Sequence, residues 1–121
     1  QSAATNTGNQ SAATNTGNRS AATNTGNQSA ATNTGYRSTA TNTGDYSVAS
    51  VGGRESVAIV TGKDSMAKGA LGCWIVLTER GEWDGTTYPI KCVKAFKVDG
   101  EKIKPDTFYK LENGEAVEVK D

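Results

Sequence analysis

"SAATNTGNQSAATNTGNRSAATNTGNQ" (residues 2–28) states one nine-residue phrase three times. It carries a single charge, Arg19, and nothing larger than arginine or glutamine. A strict period of this kind marks a solenoid, whose units stack on their neighbours; a disordered low-complexity linker needs no fixed period. The period continues outward from that stretch. Serine recurs at Ser2, Ser11, Ser20, Ser29, Ser38, Ser47, Ser56 and Ser65. Alanine follows two places later, at Ala4, Ala13, Ala22, Ala31, Ala40, Ala49, Ala58 and Ala67. Glycine closes the unit at Gly8, Gly17, Gly26, Gly35, Gly44, Gly53 and Gly62. The consensus x-S-x-A-T-N-T-G-x runs for eight units, the last degenerate, with Gly69 in place of the regular glycine.

Nine residues make about two and a half helical turns, so a helix would not keep one face. Thr, Asn and Gly are also poor helix formers. A short strand over S-x-A-T-N-T fits, followed by a corner where glycine supplies backbone freedom. Two nonads then make one coil of a flat, two-sided parallel β-roll. Eight units give about four coils and roughly 19 Å of stack.

Alternation along a strand puts positions 2, 4 and 6 on one face and 3, 5 and 7 on the other. Positions 2 and 4 are always Ser and Ala, whereas position 5 reaches Lys68, a poor interior residue. Ser, Ala and the position-6 Asn therefore point inward, the roll is thin, and stacked Asn amides satisfy one another up and down the ladder. The outer positions turn apolar toward the C-terminal end, at Val48, Val57, Ile59 and Met66. Such a row needs a cover, either a second copy of the chain or the C-terminal segment.

The stretch "ESVAIVTGKDSMAKGALG" (55–72) resembles the head repeats of trimeric autotransporter adhesins, built from S-V-A-I-G units. Ser56, Val57, Ala58, Ile59 and Gly62 match by type, in a unit two residues longer than the family's. The resemblance implies a left-handed parallel β-roll with Ser and Ala inside, and Val and Ile meeting on a threefold axis. The segments "GALGCWIVLTERGEW" (69–83) and "KVDGEKIKPDTFYKLENGEAVEV" (97–119) look like a domain that follows such repeats in hypothetical proteins of gut bacteria and their phages.

Residues 73–121 read as a small antiparallel meander: strands in "CWIVLTE", "YPIKCVKAFKV", "TFYKL" and "EAVEV", with turns at "RGEWDG", "DGEK" and "ENGE". The expected fold is all-β, a nonapeptide solenoid over 1–72 and an antiparallel cap over 73–121. The cap would cover the open strand edges at the end of the roll.

Function classes narrow by composition. Charges cancel at 13 basic and 13 acidic residues, and only Arg19, Arg37 and Asp45 fall in residues 1–45. No basic patch interleaves with aromatics, so nucleic acid is not an expected partner. No apolar run reaches membrane-spanning length. The chain begins with glutamine, which reads as a segment of a larger or processed polypeptide. Without histidine, the usual activation of a Ser or Cys nucleophile is missing; no enzyme activity, cofactor or metal is expected. Glu79, Glu82 and Asp84 read as a solvated turn. Calcium-binding nonapeptide rolls need acidic ligands where this chain has Asn and Thr. Cys73 and Cys92 read either as one bridge or as two buried thiols.

What remains is structural: a stalk or fibre segment of an extracellular, cell-surface or virion-associated assembly such as a phage tail. A homotrimer through Val48, Val57, Ile59 and Met66 is the expected oligomer. Two alternatives stay open. The T-x-T pairs are Thr5 with Thr7, Thr14 with Thr16, Thr23 with Thr25, Thr32 with Thr34, and Thr41 with Thr43. On a strand the two hydroxyls of each pair would share one face, and such arrays resemble the ice-binding faces of insect antifreeze solenoids. Trp74, Trp83 and Tyr88 would suit a glycan or cell-surface target on the cap.

Overall fold

The computed structural model describes residues 3–10, 12–16 and 18–119. Ser2, Ser11 and Gly17, assigned above to interior and corner, lie outside the described residues. Among the described residues every regular element is a strand. Eight four-residue strands occupy positions 3–6 of successive nonads: β1 (Ala3–Asn6), β2 (Ala12–Asn15), β3 (Ala21–Asn24), β4 (Ala30–Asn33), β5 (Thr39–Asn42), β6 (Val48–Val51), β7 (Val57–Val60) and β8 (Met66–Gly69). Four later strands follow: β9 (Trp74–Arg80), β10 (Ile90–Lys97), β11 (Tyr109–Glu112) and β12 (Glu115–Glu118).

Odd and even strands separate into two sheets. Sheet I runs β1-β3-β5-β7-β9-β10 and sheet II runs β2-β4-β6-β8-β11-β12. The repeat strands are parallel and offset by 18 residues, as in Ala22↔Ala40 and Ala40↔Ala58, so two nonads make one coil. Side chains at positions 4 and 6 are buried and those at 3 and 5 are half-buried in β4 to β8. Ala22, Ala31, Ala40, Ala49, Ala58 and Ala67 have no exposed surface, Ala13 is buried, and Ala4 packs against them. Ser20, Ser29, Ser38, Ser47, Ser56 and Ser65 are buried as well.

The inner asparagines bond differently from the expected ladder. Asn42 Nδ2 donates to the carbonyls of Ser29 and Val48, both at 2.9 Å, and Asn33 Nδ2 to those of Ser20 and Thr39 at 3.0 and 3.2 Å. Each amide thus crosses the roll and ties two successive coils of the opposite sheet. With only Ala between them the sheets are close enough for that reach, and backbone carbonyls take the amide protons in place of a neighbouring Asn.

The corners hold the second departure. The left-handed residue is not the glycine but the position before serine: Gln10, Arg19, Gln28, Arg37, Tyr46, Glu55 and Asp64 all have φ between 51° and 57°. The glycine serves clearance. A Cβ on Gly44 would lie 2.0 Å from the Gly26 carbonyl oxygen, and one on Gly26 equally close to that of Gly8. Left-handed backbone costs a non-glycine residue about 1–2 kcal/mol. Coil-to-coil bonds offset it, such as Gln28 N donating to Asp45 O at 2.9 Å. The serine hydroxyl adds two more links. Ser47 Oγ accepts from Ser29 N at 3.1 Å and donates to Gly26 O, both in the coil below. The residue after glycine contributes a further row: Asn9, Asn27 and Asp45 each accept, through Oδ1, from the backbone N–H 18 residues on.

Toward the C-terminal end the interior turns apolar. Val51 and Val60 replace asparagine, and Cys73, Ile75, Leu77 and Val98 complete a buried cluster. Gly69 makes room, since a Cβ there would meet Cys73 Cβ at 3.1 Å. The last four strands do not form a sheet of their own. β9 is a fifth parallel rung on sheet I (Ala58↔Ile75), and β10 closes that sheet antiparallel. On sheet II, β11 pairs antiparallel with β8 and with β12. "DGEK" is therefore not a hairpin between neighbouring strands; residues 98–108 cross from one sheet to the other over the end of the roll. Asp99 Oδ1 accepts from the amides of Glu101, Lys102 and Ile103 and turns the chain so that Ile103 is buried. The expected "ENGE" hairpin is present, with Asn113 and Gly114 both at positive φ.

The corner contacts set two stability outcomes. Gly44→Ala should cost at least about 2 kcal/mol in chemical denaturation, whereas Gly52→Ala, whose Cβ would meet Thr34 Cγ2 at an ordinary 3.7 Å, should stay within about 1 kcal/mol of the parent. Ser47→Ala strands a buried amide and a carbonyl and should cost about 2 kcal/mol in the same assay.

Candidate functional site

The interior is filled, so recognition has to use the outer faces and the C-terminal end. Outer columns follow from register. On sheet I one column reads Thr5, Thr23, Thr41, Ile59, Val76, Ala95. Beside it runs Ala21, Thr39, Val57, Trp74, Lys97. On sheet II the columns are Thr14, Thr32, Ser50, Lys68 and Ala12, Ala30, Val48, Met66.

The four residues expected to form one apolar row are thus divided: Val57 and Ile59 lie on sheet I, Val48 and Met66 on the opposite face. All four are half-buried.

The T-x-T array departs from expectation in that each pair is not two residues of one strand. Thr5, Thr14, Thr23, Thr32 and Thr41 lie on strands, but every repeat strand of this half ends at its Asn. Thr7, Thr16, Thr25, Thr34 and Thr43 each follow that Asn and stand exposed where the chain leaves the sheet for the corner. The cause is the glycine next in line, which must lie flat on the coil below and so draws the chain off the strand path. Thr43 N still donates to Asn24 O at 3.0 Å, so the backbone keeps coil-to-coil contact while it turns. As two nonads per coil require, the pairs are also shared between the two faces. Thr5, Thr23 and Thr41 belong to sheet I, with Thr7, Thr25 and Thr43 at that sheet's corners; Thr14 and Thr32 belong to sheet II, with Thr16 and Thr34 at its corners. Residues nine apart sit on opposite sheets, so one row read along the sequence becomes two in space.

The aromatic residues also separate. Trp83 meets Tyr88 edge-on, with ring centroids 5.2 Å apart, in the loop 81–89. Lys63 Nζ lies 4.2 Å from the Tyr88 ring, and Arg80 Nη1 donates to Tyr88 O at 2.8 Å, fixing the loop to the roll's corner. Asp84 Oδ1 accepts from the amides of Thr87 and Thr86, which hold its carboxyl below the ordinary aspartate value. Trp74 begins β9, about 20 Å of strand away from that loop. It lines a cleft of about 580 Å³ at the end of the roll, with Phe96, Lys97, Lys102, Ile103 and Glu115. The cleft mixes both charge signs and apolar surface.

Glu79 is not in the solvated turn. It lies on β9, and its carboxylate accepts from Asn113 N at 2.8 Å and Gly114 N at 3.1 Å, with Lys91 Nζ at 3.8 Å. The residue thereby ties sheet I to the β11–β12 hairpin of sheet II. The Asn113 amide is the main cause that lowers its carboxyl below the ordinary glutamate value; the Gly114 amide and Lys91 add to it. No local motif signals this contact, which spans 34 residues. The Asn row at the corners did have a signal, since Asn9, Asn18 and Asn27 share a position in the nonad.

Cys73 and Cys92 are both free thiols, so the bridge is not formed; Cys73 is buried and its Sγ–H donates to Gly53 O at 2.8 Å. Among the described residues no three His, Cys, Asp or Glu side chains gather as metal ligands. The chain matches no protein-family model, no curated protein and no solved structure.

A group whose carboxyl is lowered in the folded state contributes stability above its unfolded pKa and loses it as pH falls through the folded value. Acidification below the ordinary glutamate range should therefore release the Asn113 and Gly114 amides. In an NMR titration both should shift together with the Glu79 carboxyl, and in Glu79→Gln neither should follow that transition.

Proposed function

We propose that this chain is a rigid spacer, a stalk or fibre segment of a surface-exposed or phage-tail-like assembly. One observation carries the reading: each coil rests on the one below through the same glycine contact and the same serine and Asx bonds. A coil can be added or removed without changing the chemistry at either end, so length is the property such a repeat tunes. The charges gather in residues 46–121, at the end where the roll is elaborated. The split of Val48 and Met66 from Val57 and Ile59 favours association through one sheet face over a single threefold seam of all four.

Deletion or duplication of residues 19–36 tests the reading. Each change of 18 residues should alter the long dimension in solution scattering by about 4.8 Å and leave the melting of the C-terminal end in place. A deletion that unfolds the rest of the chain, or a length that does not scale, overturns it.

Ice or crystal-surface binding is a second reading, supported by the in-register column Thr5, Thr23, Thr41 on coils whose outer strand positions carry no charge. Thermal hysteresis that is present in the parent, and lost in Thr23→Tyr, would move this reading to the front; no hysteresis in the parent overturns it.

A further inference from the structure

We propose that the outer face of sheet I is a contact surface for a second copy of this chain, the two faces packing sheet on sheet about a twofold axis. The inference deepens the spacer reading by naming its partner, and it rests on that reading only in the sense that both need an intact roll.

The face is distinguished by what it lacks. The chain has 13 basic and 13 acidic residues. Yet along β3, β5, β7 and the first half of β9 the outward positions hold only Ala, Thr, Val, Ile and Trp, from Ala21 to Val76; on β10 the row then meets Lys97, opposite Trp74. The surface is polar but uncharged over the early coils and apolar at Val57, Ile59, Trp74 and Val76. Trp74 is 44% exposed, a large apolar residue that its own chain leaves open to water. Beyond it, Val93 on β10 is 52% exposed and extends the apolar area. A continuous uncovered patch of this kind marks a contact surface.

Charge favours sheet I. On sheet II Lys68 stands in the outer column of the repeat strands, whereas on sheet I the two outer columns carry no charge until Lys97 of the last strand. The net charge of the chain is zero, so no long-range repulsion keeps copies apart. Area agrees. Six strands span about 29 Å and strand lengths run from roughly 13 to 26 Å, which gives on the order of 500 Å² of face per copy. Pairing two such faces removes about 1,000 Å² from water, the lower end of what specific association needs. Small, flat Thr, Ala and Val side chains suit the ~10 Å spacing of packed sheets. The loop 81–89, pinned through Arg80 and Lys63 to the roll's corner, supplies a polar rim.

The test is sedimentation equilibrium of the full chain from low micromolar to several hundred micromolar, beside Thr41→Lys and Val76→Lys on sheet I and Thr32→Lys at the matching place on sheet II. The parent should reach the mass of a dimer. Each sheet I variant should raise the dissociation constant about tenfold or more, while Thr32→Lys changes it less than about twofold. Thermal melts identify any variant that unfolds, and Thr23→Lys, nearer the roll's N-terminal end, then takes its place. A monomer at every concentration, a stable trimer, or a dimer that Thr32→Lys weakens as much as Thr41→Lys overturns the proposal. Length scaling in the 18-residue series is read separately. A monomer whose length still scales removes the dimer and leaves the spacer standing.

Discussion

Each corner of the roll lies directly on the corner 18 residues earlier, so closely that the position-8 residue can have no side chain. That contact fixes much else. It sets the coil spacing, which in turn lets the Ser47 hydroxyl span from Ser29 N to Gly26 O and lets Asp45 reach Lys63 N. Those bonds satisfy the polar groups that the left-handed residue turns out of the strand ladder, and a buried group left unpaired would cost about 1–3 kcal/mol. Serine is invariant along the repeat because it is the smallest side chain that both donates and accepts at that reach. The strict nine-residue period is therefore a packing rule, and a one-residue insertion would misplace the glycine, the serine and the left-handed residue together.

The same thinness limits how the roll can end. An interior of Ala and Ser buries little apolar surface per residue, and the crossing asparagines supply much of what joins the two sheets. At the C-terminal end this arrangement gives way to Val51, Val60, Ile75 and Leu77, with Val98, Ile103, Tyr109 and Leu111 packed on them. Burial of one such side chain contributes about 1.5–3 kcal/mol, more than an alanine rung supplies. Antiparallel strands then close both sheets. They also change the character of the edge: β10 carries Lys91, Lys94 and Lys97, and lysine on an edge strand discourages further pairing. The parallel stack thus stops at a charged edge.

Much of this was legible from the period alone. Identity at positions 2 and 4 marked the interior, because a narrow space tolerates no drift, and Lys68 marked the outside. The reason for the glycine was not legible. Freedom to adopt positive φ and the need for clearance leave the same letter in a sequence, and only the coil below tells them apart. The same clearance ends each strand early, which is why Thr7, Thr25 and Thr43 sit at corners although Thr suits a strand as well there as at Thr5, Thr23 and Thr41. The left-handed residue was hidden for the opposite reason: Gln, Arg, Tyr, Glu and Asp share no side-chain property, since the backbone bonds hold the conformation. The division of Val48 and Met66 from Val57 and Ile59 was available in the arithmetic, because neighbours nine apart alternate between sheets. The Glu79 bond to the hairpin tip was not, as nothing local encodes a contact between two sheets at the far end of the roll.

That alternation also explains how near-identical repeats come to have two different faces. The inner rows of both sheets obey one rule, so Ala58 and Ala67 are interchangeable. The outer rows obey none, and they diverge: Val57, Ile59, Trp74 and Val76 on sheet I against Val48, Ser50, Met66 and Lys68 on sheet II. On sheet II the Lys68 cation lies 4.8 Å from the Phe108 ring, held within the chain's own structure. On sheet I the Trp74 ring stays open to water. The folding rule governs the inner row of every nonad alike and leaves the outer rows free to differ, and it is the open, apolar end of sheet I that the proposed pairing of two copies would use.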